Sequence, residues 1–174
     1  MTQTLPSPAQ PLKIGTRGSP LALWQAHEVR RCLMQAHSLP ESAFEVVVIK
    51  VSGDNRSMID ADRPLKEIGN KGLFTREIED ALLDSSIDIA VHSMKDVPTA
   101  LPIGIIQAAV LERANTLDIL VHKGNLDFLE GNGTIATGSL RRQAQWLHKY
   151  PNHTVVDLRG NVNTRMQKLN ESDW

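Results

Sequence analysis

The feature that most constrains this 174-residue chain is the alternation of short apolar, β-branched runs with longer amphipathic stretches. Parallel strands joined by crossover helices produce that pattern, because the strands are covered on both faces while each helix buries one stripe. The expected fold class is α/β. Leu12–Thr16 reads as the first strand. Ser19 followed by Pro20 is a helix start signal, and the helix it opens runs to His37, with Leu21, Trp24, Ala26, Val29 and Leu33 along one apolar stripe. Phe44–Val51 reads as a strand buried on both faces. A polar loop over Ser52–Pro64, a helix over Leu73–Leu83 and a strand over Asp88–His92 follow. Ile103–Val110 and Leu117–Val121 read as two further strands. After the Gly131-Asn-Gly punctuation come a strand over Thr134–Thr137, a helix from Ser139, a strand over His153–Leu158 and a helix over Val162–Leu169.

This order divides into a loose tail over residues 1–11, a first α/β domain over 12–110 and a second over 111–174. An open parallel sheet usually continues past such a last helix into another strand, so the second domain is expected to be incomplete. Nineteen Lys and Arg balance twenty Asp and Glu, leaving a formal charge of −1. No whole-molecule basic field exists to coat nucleic acid, and any anion binding must come from local clustering. The single cysteine, Cys32, excludes an internal disulfide framework and fits a reducing compartment. The N-terminus lacks the charged and apolar regions of a secretory signal. The greasiest stretch, Leu101–Leu111, contains Pro102, Gly104 and Gln107 and falls well short of the roughly 20 apolar residues a spanning helix needs. A soluble, cytoplasmic, monomeric protein without nucleic-acid or membrane partners is expected.

The charge that matters is concentrated. Arg17, Arg141, Arg142 and Arg159 follow strands or open helices, where helix N-termini offer free N–H groups to anions. From Thr134 to Leu169, six basic residues, with Arg165, Lys149 and Lys168 among them, face one acid, Asp157. Guanidinium groups so placed suit a ligand with several carboxylates or phosphates. Lys95 and Asp96 sit at the end of a buried strand in Ser93-Met-Lys-Asp. Asp96 is either a carboxylate that stabilises a cation or handles a proton, or a residue that caps the Val97-Pro98 turn and pairs with Lys95. Other chemistries lack their motifs. No phosphate-binding Gly-x4-Gly-Lys-Ser/Thr or dinucleotide Gly-x-Gly-x-x-Gly occurs, and no His pair has the spacing of a metal site. His92, Ser93 and Asp96 lack a nucleophile elbow. Cys32, beside an apolar stripe, reads as a packing residue rather than a reactive thiol.

Five motifs in order carry a resemblance: Ile14-Gly-Thr-Arg-Gly-Ser-Pro-Leu-Ala-Leu-Trp-Gln, Lys71-Gly-Leu-Phe-Thr-Arg-Glu-Ile-Glu, Asp88-Ile-Ala-Val-His-Ser-Met-Lys-Asp-Val-Pro-Thr, Gly138-Ser-Leu-Arg-Arg and Leu158-Arg-Gly-Asn-Val-Asn-Thr-Arg. Together they resemble the porphobilinogen deaminases, or hydroxymethylbilane synthases. The resemblance implies two periplasmic-binding-protein-like open-sheet domains and a third domain. It implies stepwise condensation of four porphobilinogen molecules with loss of ammonia, on a covalent dipyrromethane cofactor, in tetrapyrrole synthesis. By the same resemblance Asp96 is the catalytic carboxylate. Lys95, Ser93, Thr137, Ser139, Arg141, Arg142, Arg159, Gly160, Asn161 and Arg165 hold the cofactor, and Arg17, Ser19, Arg159 and Arg165 bind substrate. No metal is implied.

Three departures from the family pattern stand out. The cofactor-attaching cysteine belongs to the third domain and Cys32 does not match it, so these residues alone are expected to be inactive. The usual Gly-Thr-Ser-Ser-Leu-Arg-Arg reads Ala136-Thr-Gly-Ser-Leu-Arg-Arg, with one hydroxyl fewer, and Glu67 stands where a lysine is common, beside a longer loop over Asp54–Pro64. The alternatives are a non-catalytic polycarboxylate-binding module and an inactive fragment.

Overall fold

A computed structural model describes residues 5–52 and 74–174. The Asp54–Pro64 loop, Glu67 and the start expected at Leu73 for the second helix lie outside them. The chain divides into two compact units, residues 1–112 and 113–174.

The first unit is built on three parallel strands, β1 (Leu12–Thr16), β2 (Phe44–Val48) and β3 (Ile89–Ala90), in the order β2-β1-β3. In-register pairs run from Leu12 opposite Phe44 to Thr16 opposite Val48, and Ile14 faces Ile89 on the other side. Being central, β1 buries Ile14, Gly15 and Thr16. Helix α1 (Pro20–His37) connects β1 to β2, and its boundaries follow from local chemistry. The Ser19 hydroxyl accepts from the Ala22 N–H at 3.3 Å, Pro20 occupies a position that needs no donor, and Ser38 ends the helix in the left-handed region at φ 54°.

Helix α2 (Arg76–Leu83) precedes β3, and the two helices cover opposite faces of the sheet. Ala26, Leu33 and Met34 of α1 pack with Ile14, Phe44 and Val46. Ile78, Ala81 and Leu82 of α2 pack with Val47, Val51 and Ile87. Neighbouring Val46 and Val47 therefore point to different layers, as the period of two requires. A Cβ on Gly15 would come within 2.2 Å of the Ile87 side chain, so only glycine lets these segments lie this close.

Three strand expectations need correction. β2 ends at Val48 rather than Val51 and, at the sheet edge, leaves Glu45 and Val48 exposed, so it is not buried throughout. Ile103–Val110 and Leu117–Val121 form no strand. Ile103 is 98% exposed and Ile119 86%. A strand needs a neighbour to take up its backbone N–H and C=O groups, and neither segment is paired with one.

The second unit pairs β4 (Thr134–Ala136) with β5 (Thr154–Val156) in parallel, from Thr134 opposite Thr154 to Ala136 opposite Val156. Helices α3 (Leu140–Lys149) and α4 (Val162–Glu171) each follow one of these strands. Its packing centre is aromatic. Trp146, Tyr150 and Phe128 surround His153, which is 6% exposed and accepts the Trp146 indole N–H at Nδ1 over 3.2 Å. Among the described residues no helix is long and apolar enough to cross a membrane, and no three His, Cys, Asp or Glu cluster to hold a metal.

Candidate functional site

The order β2-β1-β3 fixes where a site can lie in the first unit. The chain leaves β1 for β2 on one side and returns to the opposite side of β1 for β3, so the carboxyl ends of β1 and β3 flank a topological switch point. Ligands bind there in open α/β sheets, because the crossover connections diverge and leave a crevice. Arg17 is the first residue after β1, and Ser93, Lys95 and Asp96 follow β3, with Met94–Asp96 forming a single 3-10 turn. The Asp96 N–H donates to the Ser93 carbonyl at 2.9 Å, tightening that turn.

Arg17 and Asp96, far apart in sequence, meet. Arg17 Nη1 lies 3.7 Å from Asp96 Oδ2, with both side chains about one-fifth exposed. The guanidinium also lies over the Phe74 ring, 4.3 Å from its centroid, so one flat face is held by an aromatic. Asp96 thus has a carboxylate oxygen near a guanidinium carried by the loop after β1. Lys95 is exposed beside it. His92 is near enough to the pair to feel both charges, and burial pulls its imidazole below the ordinary 6.5; Glu79 and Asp96 oppose that shift and Arg17 adds to it. Ser19 is spent on capping α1, and the Ser93 hydroxyl donates to Gln25 Oε1 at 3.0 Å.

In the second unit the expected residues gather at the start of two helices. Ser139 caps α3 by accepting from the Arg142 N–H at 3.4 Å, and its own N–H donates to Thr137 Oγ1 at 3.1 Å. Asn161 caps α4, accepting from the Thr164 N–H at 2.9 Å and the Thr164 hydroxyl at 3.0 Å. Gly160 takes φ +113°, a conformation L side chains rarely adopt, and a Cβ there would also strike Thr164 at 2.8 Å. A Cβ on Gly138 would come within 2.9 Å of the Leu158 carbonyl oxygen, so the two strand-to-helix loops touch at that glycine. The departure that put glycine at 138 thus sits where the loops need it.

The arginines of this unit divide. Arg142 is held by Asp118, Nε to Oδ2 at 3.0 Å and Nη2 to Oδ1 at 2.7 Å, which pulls the Asp118 carboxyl below its ordinary value and raises the guanidinium's. Arg141 reaches Asp118 at 3.6 Å and donates to Gln145 at 3.0 Å. Arg159 and Arg165 are partly buried, and the Nε of Arg165 is buried without a hydrogen-bond partner among the described residues. Such an orphaned donor costs about 1–3 kcal/mol unless a ligand or water satisfies it. Cys32 is partly buried on α1, its sulfur 3.8 Å from Glu28 Oε1 and 3.7 Å from Arg31 Nη2. The roles of Phe74, Gln25 and Asp118 were not read from the sequence. Phe74 and Asp118 are marked only by contacts through space, whereas a glutamine beside an apolar helix stripe is a signal the sequence does carry.

These features define a class: an α/β protein with guanidinium groups gathered at strand ends and helix N-termini. Residues 12–174 match the sequence model described as porphobilinogen deaminase, dipyromethane cofactor binding domain. The chain is 51% identical over 173 residues to the porphobilinogen deaminase of Paracoccus denitrificans, covering 98% of itself and 54% of that protein. It is 54% identical over 166 residues to the chloroplastic porphobilinogen deaminase of Oryza sativa subsp. japonica, covering 93% of itself and 45% of the relative. Against the chloroplastic enzyme of Pisum sativum the identity is 50% over 165 residues, 92% of this chain and 44% of that one. The chain belongs to the porphobilinogen deaminase family, and it spans about half the length of these curated relatives.

Proposed function

We propose that this chain supplies the reacting carboxylate and the cofactor-holding cations of a hydroxymethylbilane synthase, a transferase that joins four porphobilinogen molecules and releases ammonia. The observation that carries the proposal is the meeting of Arg17 with Asp96 outside the carboxyl ends of β1 and β3. Porphobilinogen bears two carboxylates and a pyrrole N–H. Arg17 takes a substrate carboxylate with its guanidinium, which stacks on Phe74, and Ser19, two residues on in sequence, belongs to the same substrate-binding set. Asp96 stands where positive charge develops when the aminomethyl C–N bond breaks and the electron pair departs with ammonia. A fixed carboxylate in a partly desolvated crevice stabilises that cation far more than the same charge would in water.

The donor set of the second unit fits a dipyrromethane. When bound, that group supplies the pyrrole carbon to which the first substrate is joined. Thr137, Ser139, Arg141, Arg142, Arg159 and Arg165, with the N–H groups at the α3 and α4 N-termini, would hold its acid side chains, and Gly160 and Asn161 shape the loop. The unsatisfied Arg165 Nε supports this, since a carboxylate oxygen completes it. By the family resemblance, Lys95 and Ser93 of the first unit are counted with the cofactor-holding residues. Cys32, on α1 and engaged with Glu28 and Arg31, is not its attachment point, so residues 1–174 by themselves form little or no product.

Residues 12–110 and 111–174 are proposed as open-sheet domains of the periplasmic-binding-protein kind, the first with the aspartate turn and the second with the arginine-rich face. A cytoplasmic monomer with no nucleic-acid or membrane partner fits this reading. The test is substitution at both ends of the pair. In a protein where these residues are joined to the remaining length of the relatives, Arg17→Lys should raise the KM for porphobilinogen by about tenfold or more, because a point charge replaces a stacked, forked donor. Unchanged kinetics would remove Arg17 from the substrate site.

A further inference from the structure

We infer that Gln25 is a positioning residue for Asp96, acting through the Ser93 hydroxyl; the inference rests on the role proposed for Asp96 above. Gln25 lies on α1 one turn after Ala22 and one turn before Val29, next to the fully buried Ala26. A half-buried amide beside that apolar stripe is costly unless it is hydrogen-bonded. Its Oε1 accepts from Ser93 Oγ at 3.0 Å, a link across 68 residues of sequence. Ser93 opens the 3-10 turn, and its side chain makes no capping bond to that turn. Its proton goes to the helix instead, and its carbonyl accepts the Asp96 N–H at 2.9 Å.

Asp96 is therefore held twice. Arg17 faces its carboxylate, and Gln25 ties the backbone that carries it to α1. The turn has little else to fix it, since none of its three residues is buried and Met94 is 55% exposed. A second consequence concerns Ser93. With its proton committed to Gln25, its oxygen offers only lone pairs to a ligand, so it accepts from an N–H rather than donating to a carboxylate.

Amide hydrogen exchange on the full 174-residue chain tests this. In Gln25→Leu the amides of Asp96 and Val97, which close the turn onto Ser93 and Met94, should exchange about three to ten times faster, the worth of one neutral hydrogen bond. Amides of β1 and β2 should not change. Gln25→Glu keeps an acceptor at the same place and should restore protection; a merely structural glutamine would show no such rescue. Ser93→Ala should match Gln25→Leu, and the double variant should add nothing. Unchanged exchange at Asp96 and Val97 in Gln25→Leu, or faster exchange spread over the whole unit, would overturn the inference. Turnover separates it from the reading on which it rests. In a protein where these residues are joined to the remaining length of the relatives, Gln25→Leu should lower kcat with KM nearly unchanged. Asp96→Asn that retained turnover would count against the function proposed for Asp96 while leaving the exchange result to decide the tie.

Discussion

At the scale of single residues, the region around Asp96 carries a pH signature. Burial is the largest influence on His92 and holds its imidazole below the ordinary 6.5, so the folded protein resists a proton that the unfolded chain accepts. The unfolded state then binds more protons, and stability rises with pH across that interval. It is fully present above about 6.5 and is lost as pH falls from there toward the depressed folded value. Thermal midpoints measured at constant ionic strength should therefore drop on acidification through this window. The His92→Gln protein should show a flatter dependence; an identical slope would mean the proton uptake lies elsewhere. Glu79 and Asp96 soften the effect by favouring the charged ring, so Asp96→Asn should steepen it.

At the scale of elements, two substitutions probe what sets the strands and helices. Gly15→Ala should destabilise the first unit by about 1–3 kcal/mol in denaturant unfolding, because the new methyl has no room beside Ile87. Combining it with Ile87→Val should recover part of that loss, and strict additivity would refute the close approach. Ser139→Ala should cost about 1 kcal/mol through the lost cap of α3. The bounds of β1 and α1 were legible in the sequence to the residue, because Ser19 and Pro20 are local signals; the stripe expected on α1 was right only in part, since Leu21 is 52% and Trp24 64% exposed. The ends of β2 and β3 were not, since hydrogen bonding to β1 decides where they stop. Ile103–Val110 has the composition of a strand, but composition cannot say whether a partner edge is there. The candidate site was legible as residue types at strand ends. The Arg17–Asp96 meeting, the Phe74 platform and the Asp118 grip on Arg142 were not, because each joins segments that only the fold brings together.

At the scale of the whole chain, the two units are unequally provided with core. The buried apolar residues Ile14, Ala26, Ala43, Phe44, Val51, Ile78 and Ile87 all belong to residues 1–112. Among the described residues of 113–174 only His153 is buried, and a two-stranded sheet is marginal by itself. Unfolding should be non-coincident, with amides of β4 and β5 losing protection at lower denaturant than those of β1 and β2. A single shared transition would contradict that imbalance. Polycarboxylate ligands that satisfy Arg165 and the α3 and α4 N-termini should raise the lower transition by mass action.

The assignment of Asp96 is tested most directly by ammonia release from porphobilinogen. The protein to use joins these residues to the remaining length of the relatives and carries Asp96→Asn, a substitution that keeps the side chain's shape and removes its charge. If the carboxylate stabilises the pyrrole cation left when ammonia departs, the rate should fall at least about a hundredfold, the scale set by losing one preorganised electrostatic group, with substrate binding retained. A near-normal rate would show that the charge beside Arg17 is not the one the reaction uses.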